Sequence, residues 1–319
     1  CLTVGVFDGV HLGHRHLLER LTDEASKAGC GAGVVTFRNH PRPVLNPEVT
    51  VSSLTTLGER TRLLEDLGIN LVVPITFTLE VSRVTAREFV GLLMEHLHMR
   101  VMVVGPDFAL GHRREGTPEL LSELGREMGF TIVVADTFAP GDARVRSSAI
   151  RDALTEGQVA RAAEYLGRYY AVTGEVVHGA GRGGSTLGYP TANVAVHTNL
   201  AVPGNGIYAT LAYVDGERYQ AATSIGVRPT FGVGERAIEA FLLDYEGNLY
   251  HKAMRLEFVE RIQEVMDCSH LEPEVLGTAE GEIRSQYLSA EKARDVLDWR
   301  PQYDERTGLS ETVQWYREF

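Results

Sequence analysis

VGVFDGVHLGHRHLL, residues 4–18, reads as an apolar strand, a turn carrying Gly9 and Gly13, and the start of a helix, with His11 and His14 three residues apart. Residues at that spacing share one helix face, so both imidazoles can meet a single ligand. Glycine lets backbone approach that ligand closely, and a helix N-terminus offers unpaired amides and the positive end of a dipole to an anion. A polyphosphate fits, with the histidines donating hydrogen bonds to phosphate oxygens as charge builds in a transition state. The plain alternative is a set of surface histidines, His11, His14 and His16, on an exposed first turn. Paired histidines with flanking glycines directly after a strand favour the site.

Outward from this segment, apolar runs at 2–7, 31–37, 71–77, 100–105 and 131–136 alternate with helical patterns at 14–28, 57–67, 85–97, 117–128 and 147–154. Such alternation predicts an α/β domain, a parallel sheet with helices on both faces. From Tyr170 the texture changes to short alternating strands with Gly and Pro turns, at 170–177, 206–214, 218–226, 237–245 and 252–260. That spacing predicts a small antiparallel β-barrel. Beyond Met266 two short helices and a Pro-containing turn are expected, without further strands. The expected domains are therefore 1–166, 167–266 and a helical tail, 267–319.

With 44% hydrophobic residues in 319, the chain has apolar content for two cores. Its 31 basic and 43 acidic side chains leave a net charge of -12, which disfavours nucleic acid and anionic lipid as partners and favours a small-molecule substrate. No run approaches the roughly 18 apolar residues of a membrane span, and no leader pattern opens the chain, so a cytoplasmic protein is expected. The sequence opens on Cys1 and enters a strand-like run at once, so a native N-terminus ahead of Cys1 is expected. Cys1, Cys30 and Cys268 lack any CxxC spacing and read as buried or incidental thiols, with no disulfide or zinc framework.

A second glycine-rich stretch, HGAGRGGSTLGYPTANVAV (178–196), satisfies GxGxxG after a strand. Gly188 and Pro190 prevent the helix that a dinucleotide site requires, so a nicotinamide site is rejected. A flap over nucleotide phosphates, through Gly179, Gly181 and Gly184, is the functional reading, and a plain hairpin loop the other.

The HxGH string, with FDG ahead of it, resembles the nucleotidyltransferase signature of the prokaryotic bifunctional riboflavin kinase/FAD synthetase family. TFRNHP (36–41), VGPDFALGHRREG (104–116) and VRSSAIRDAL (145–154) resemble further elements of that family in order, and GYPTANV (188–194) its PTAN motif. SIGVRPTFG (224–232) and the run 237–262 resemble its later barrel strands. The resemblance implies a Rossmann-like nucleotidyltransferase domain followed by a kinase barrel. It implies that Gly5, Phe7, Asp8, Gly9, Gly13, Ser147 and Ser148 bind ATP phosphates, and that His11, His14 and Arg151 stabilise charge during adenylylation. His40, Asp107, Phe108 and Arg114 would bind flavin. In the barrel, Thr191 and Asn193 would hold Mg2+ and ATP phosphate, and Glu239 would be the general base on the riboflavin 5'-hydroxyl. Riboflavin, FMN and ATP are the implied substrates, and FAD the product. Arg38, Pro106, Arg146, Phe241 and His251 depart from the family pattern. Alternatives are an adenylyltransferase with a kinase-inactive barrel, a non-catalytic flavin-binding module, or another nucleotidyltransferase with the same loop. Residues from about 267 onward, most clearly 287–319, resemble instead the C-terminal end of extended short-chain nucleotide-sugar epimerases and dehydratases.

Overall fold

β1 (Leu2–Val4), β2 (Gly33–Phe37), β3 (Leu71–Ile75), β4 (Val101–Val104) and β5 (Thr131–Val134) are short apolar segments joined by helix-bearing connections, and such segments pair in parallel. A computed structural model, describing residues 1–138, 145–178, 191–227 and 236–264, places them in the order β3-β2-β1-β4-β5, all neighbours parallel. The helices are α1 (Leu12–Ala28), α2 (Pro41–Leu45), α3 (Leu57–Glu65), α4 (Ala86–Leu97), α5 (Pro118–Met128), α6 (Ser147–Thr155) and α7 (Val159–Leu166). Alternation along the strands feeds two cores. Val34 and Val103 join Leu18, Leu21 and Leu64 from α1 and α3. Val4, Val35, Met102 and Val104 join Val90, Leu93, Leu121 and Leu124 from α4 and α5 on the other face. The predicted α/β layering is therefore present.

Local signals set the helix ends. Thr85 and Glu88 form a reciprocal capping box at α4, and Gly29 closes α1 in the left-handed conformation at φ 61°. The chain runs from β1 to β2 and β3 on one side, then returns to place β4 and β5 on the other. Strand order thus reverses beside β1, and a crevice opens past the carboxyl ends of β1 and β4, where open α/β sheets bind ligands.

The second half forms a closed barrel in the order β10-β7-β6-β11-β8-β9. Its strands are β6 (Tyr170–Val177), β7 (Ala192–Val196), β8 (Gly206–Val214), β9 (Glu217–Val227), β10 (Arg236–Leu242) and β11 (Ala253–Glu264). Register shifts in β11 at Phe258/Glu260 and Arg261/Gln263 supply the bends that closure needs. Inside, Tyr208 meets Phe258 edge-on at 5.4 Å, and the buried hydroxyls of Thr210 and Thr223 pair at 2.7 Å. The sequence patterns anticipate five of these strands and miss β7, α2 and α7.

By packing, Cys1–Gly174 and Val196–Gly204 make one unit, and Glu175–Ala195 with the described residues from Asn205 onward make the other. Residues 196–204 are tied to the first unit by Ser53 N donating to Asn199 O at 2.7 Å and Ala201 N donating to Ser53 O at 2.8 Å. The expected helical tail, 267–319, lies outside the described residues. Cys1 and Cys30, far apart in sequence, are free thiols whose sulfurs lie 3.3 Å apart, because β1 runs beside the start of β2.

Candidate functional site

The connection from β1 to α1 is bent by three positive φ angles, at Phe7 (50°), Gly9 (84°) and Val10 (39°). At Gly9 the backbone conformation and the space both exclude a side chain, since a Cβ would stand 2.8 Å from Leu54 Cδ1. Asp8 sits beneath this bend, 3% exposed. Its carboxylate accepts from Leu54 N at 2.9 Å and Thr55 N at 3.2 Å, pairs with Arg151, and lies 3.8 Å from Arg60. Gly9 N donates to Thr55 Oγ1, and Arg168 donates to Gly9 O at 2.7 Å and Val10 O at 3.2 Å. Gly5, Phe7, Asp8 and Gly9 therefore shape the loop from behind.

Ahead of the bend, His11 caps α1, its Nδ1 accepting from His14 N at 3.3 Å. An Nδ1 used as acceptor leaves the proton of the neutral ring on Nε2. His14 stacks on His11 with ring centroids 3.6 Å apart and meets Phe7 edge-on. Burial pushes the His11 pKa down to about 4 against the attraction of Asp8. Burial pushes His14 well below its ordinary range too, helped by His11 and Arg60. Both rings are thus neutral N–H donors at neutral pH. The unfolded chain binds protons that the folded chain refuses, so stability falls as pH drops from about 6.5 to about 4. Urea unfolding across that window should show a slope of up to about 1.4 kcal/mol per pH unit for each histidine. A profile unchanged in His14→Gln would rule out a contribution from that ring.

His11, His14 and Gly13 line an open cavity of about 420 Å³ at the switch point of the sheet. Asp107 and Phe108 reach it from the loop after β4, Asp136 and Phe138 from beyond β5, and Arg146 and Ser147 from the start of α6. Ser147 also donates to Asp8 O at 3.0 Å. Ser148 is exposed. Arg151, one turn further on, is engaged with Asp8 and with Ser52 O and lines neither this cavity nor the next. The four residues expected to hold flavin are not gathered at one place. Asp107 and Phe108 are at the first cavity, and Arg114 donates to Asp107 O at 3.5 Å. His40 instead lines a second cavity with Arg38, Thr55, Arg60 and Asn199. Arg60, Arg168 and Thr55 carry no motif that would single them out in the sequence.

In the barrel, Glu239 on β10 stands directly opposite Asn193 on β7 and Ser224 on β9. Directly opposed residues share a face of the sheet. Their neighbours Ile238, Ala240, Ala192 and Thr223 are buried in the barrel interior, so the carboxylate, amide and hydroxyl lie together on its outer face. Thr191 precedes β7 and is exposed. Gly179, Gly181 and Gly184 lie outside the described residues. No group of three His, Cys, Asp or Glu side chains converges as a metal cluster among the described residues, and no helix there is long and apolar enough to cross a membrane.

A glycine-bearing loop with two stacked histidines at the switch point of a parallel sheet, followed by a closed barrel, is the frame against which relatives can be compared. A family model described as FAD synthetase matches residues 1–149, and one described as riboflavin kinase matches 166–273. The chain is 36% identical over 264 residues to a bifunctional riboflavin kinase/FMN adenylyltransferase of Escherichia coli (strain K12), with 82% of this chain and 84% of the relative covered. Relatives bearing the same description from Pseudomonas fluorescens and Bacillus subtilis (strain 168) are 34% and 33% identical, covering 85% and 82% of this chain and 86% and 84% of their own. The chain belongs to the family of bifunctional riboflavin kinase/FMN adenylyltransferases. A crystal structure described as a macrolide-efflux protein from Streptococcus pneumoniae shares the fold at a TM-score of 0.76 and 27% identity, covering 83% of this chain and 87% of that one.

Proposed function

We propose that the chain makes FMN from riboflavin and ATP on the barrel, and FAD from FMN and ATP at the loop between β1 and α1. The observation that carries the adenylylation site is the pair of neutral, stacked imidazoles lining a cavity at the switch point, within the span matched by the FAD synthetase model. An FMN phosphate oxygen attacks the α-phosphorus of ATP, the bond to the bridging oxygen breaks, and pyrophosphate leaves. His11 and His14 donate N–H bonds to the oxygens that gain charge, so no protein nucleophile is needed. Ser147 and Arg146 bring a hydroxyl and a positive charge to the same cavity. Arg151 reaches the leaving group only by exchanging its contact with Asp8. Asp107 and Phe108 face FMN in this reading. His40 and Arg114 would act from the margins.

On the barrel, Glu239 takes the riboflavin 5'-hydroxyl proton as the γ-phosphoryl arrives. Thr191 and Asn193 would hold Mg2+, which prefers oxygen ligands and when bound neutralises phosphate charge. The Asn193 amide beside the Glu239 carboxylate is a donor set of that kind. The functional division is 1–166 and 167–266. The epimerase-like reading of the tail gains no support from the two family matches, which end at residue 273. A protein without nucleic-acid or membrane partners remains the reading of its charge.

The test is to incubate the protein with riboflavin, ATP and Mg2+ and separate the flavins chromatographically. FMN and FAD should both form. His14→Ala should lower FAD formation by about 100- to 1,000-fold, the effect of removing one such donor, while FMN accumulates. If His14→Ala loses both products without unfolding, the two-site reading fails.

A further inference from the structure

We propose that Cys1 and Cys30 form an oxidation site, a thiol pair that peroxide converts to a disulfide strapping the start of β1 to the end of α1. The sulfurs are 3.3 Å apart, with Cys1 buried and Cys30 exposed. Both residues sit on paired backbone. Gly33 N donates to Cys1 O at 2.8 Å, and Cys30 N donates to Ala25 O at 3.0 Å just past the Gly29 cap of α1. Closing to the roughly 2 Å of an S–S bond therefore asks for a movement of little more than an ångström.

The exposed thiol reacts first. The Cys30 thiolate attacks one oxygen of hydrogen peroxide, the O–O bond breaks, hydroxide leaves, and the sulfur becomes a sulfenic acid. The Cys1 sulfur then attacks Cys30 Sγ. The S–O bond breaks, the S–S bond forms, and the hydroxyl leaves as water with the Cys1 proton. In sum, two thiols and one peroxide give one disulfide and two waters.

The strap joins the amino end of β1 to the carboxyl end of α1. The phosphate loop joins their other ends. Oxidation should therefore hold in place the two elements that frame the loop without touching the residues that line the cavity.

The experiment treats the full chain with one equivalent of hydrogen peroxide, blocks remaining thiols with an alkylating agent, and maps cross-linked peptides. The expected product is a Cys1–Cys30 cross-link, with titratable thiols falling from 3 to 1. Cys30→Ser should abolish the cross-link while keeping FAD formation. Cys1→Ser should leave a sulfenic acid at Cys30 that dimedone traps. The oxidised protein should melt at a higher temperature than the reduced one. A cross-link of either cysteine to Cys268, or over-oxidation of Cys30 with Cys1 still free, overturns the pairing. A lower or unchanged melting temperature overturns the strap.

Discussion

Glu239→Gln is expected to leave riboflavin unconverted while supplied FMN is still turned into FAD. Glutamine keeps the shape and the hydrogen-bonding reach of glutamate but cannot accept the 5'-hydroxyl proton. Loss of a general base typically lowers turnover about 100- to 10,000-fold. The residue lies on the outer face of the barrel, between Asn193 and Ser224 across the two ladders, so the substitution leaves the interior packing of Ile238 and Ala240 untouched. Urea unfolding, read beside turnover, reports whether the half-buried amide keeps the contacts of the carboxylate. The combination separates two roles that alternation along a strand cannot separate. A base gives lost phosphorylation in protein that stays folded; a strand residue without that role gives no loss of phosphorylation. Normal FMN formation by Glu239→Gln would assign the proton to another group and reduce Glu239 to its place in the ladder.

What could be read from the sequence divides along the range of the interactions. The HxGH spacing is local, and so are the strand and helix periods around it; the structure has the elements close to where those periods place them. α2 has five residues, too short for the helical period to repeat, and β7 falls inside the glycine-rich stretch 178–196 that reads as a flap or loop, so both go unread. The support of the site is long-range. Asp8 is joined to Leu54 across 46 positions and to Arg151 across 143, so nothing near Asp8 shows that its carboxylate is turned inward. His40 sits in a motif as recognisable as the first, yet it faces a different cavity, because that motif starts α2 while the loop histidines start α1. Cys1 and Cys30 are brought together by strand pairing, which a spacing rule for cysteines does not contain.

Asp8→Ala is expected to destabilise the first unit by about 3–5 kcal/mol, the usual consequence of removing one partner of a buried ion pair. The reason lies in what is left behind. Arg60 is 4% exposed and donates to Phe37 O at 2.8 Å and Thr36 Oγ1 at 3.3 Å, so its charge is largely withdrawn from water. Burial already lowers its pKa, opposed by Asp8; without the carboxylate that opposition is gone. Leu54 N and Thr55 N lose their acceptor as well, at a cost of about 1–3 kcal/mol for each buried donor that finds no other. These terms share one network and do not add. Arg151, at 20% exposure, can turn outward, so Arg151→Ala should be the milder change. The loop between β1 and α1 hangs on the same carboxylate through Thr55 and Gly9, so Asp8→Ala protein that still folds should lose FAD formation and keep FMN formation. Urea unfolding of the wild type, Asp8→Ala and Asp8→Ala/Arg60→Met decides the matter. Removing Arg60 along with Asp8 takes away the uncompensated charge, so the double variant should recover part of the lost stability. A double variant less stable than Asp8→Ala would show that the stranded arginine is not the origin of the loss.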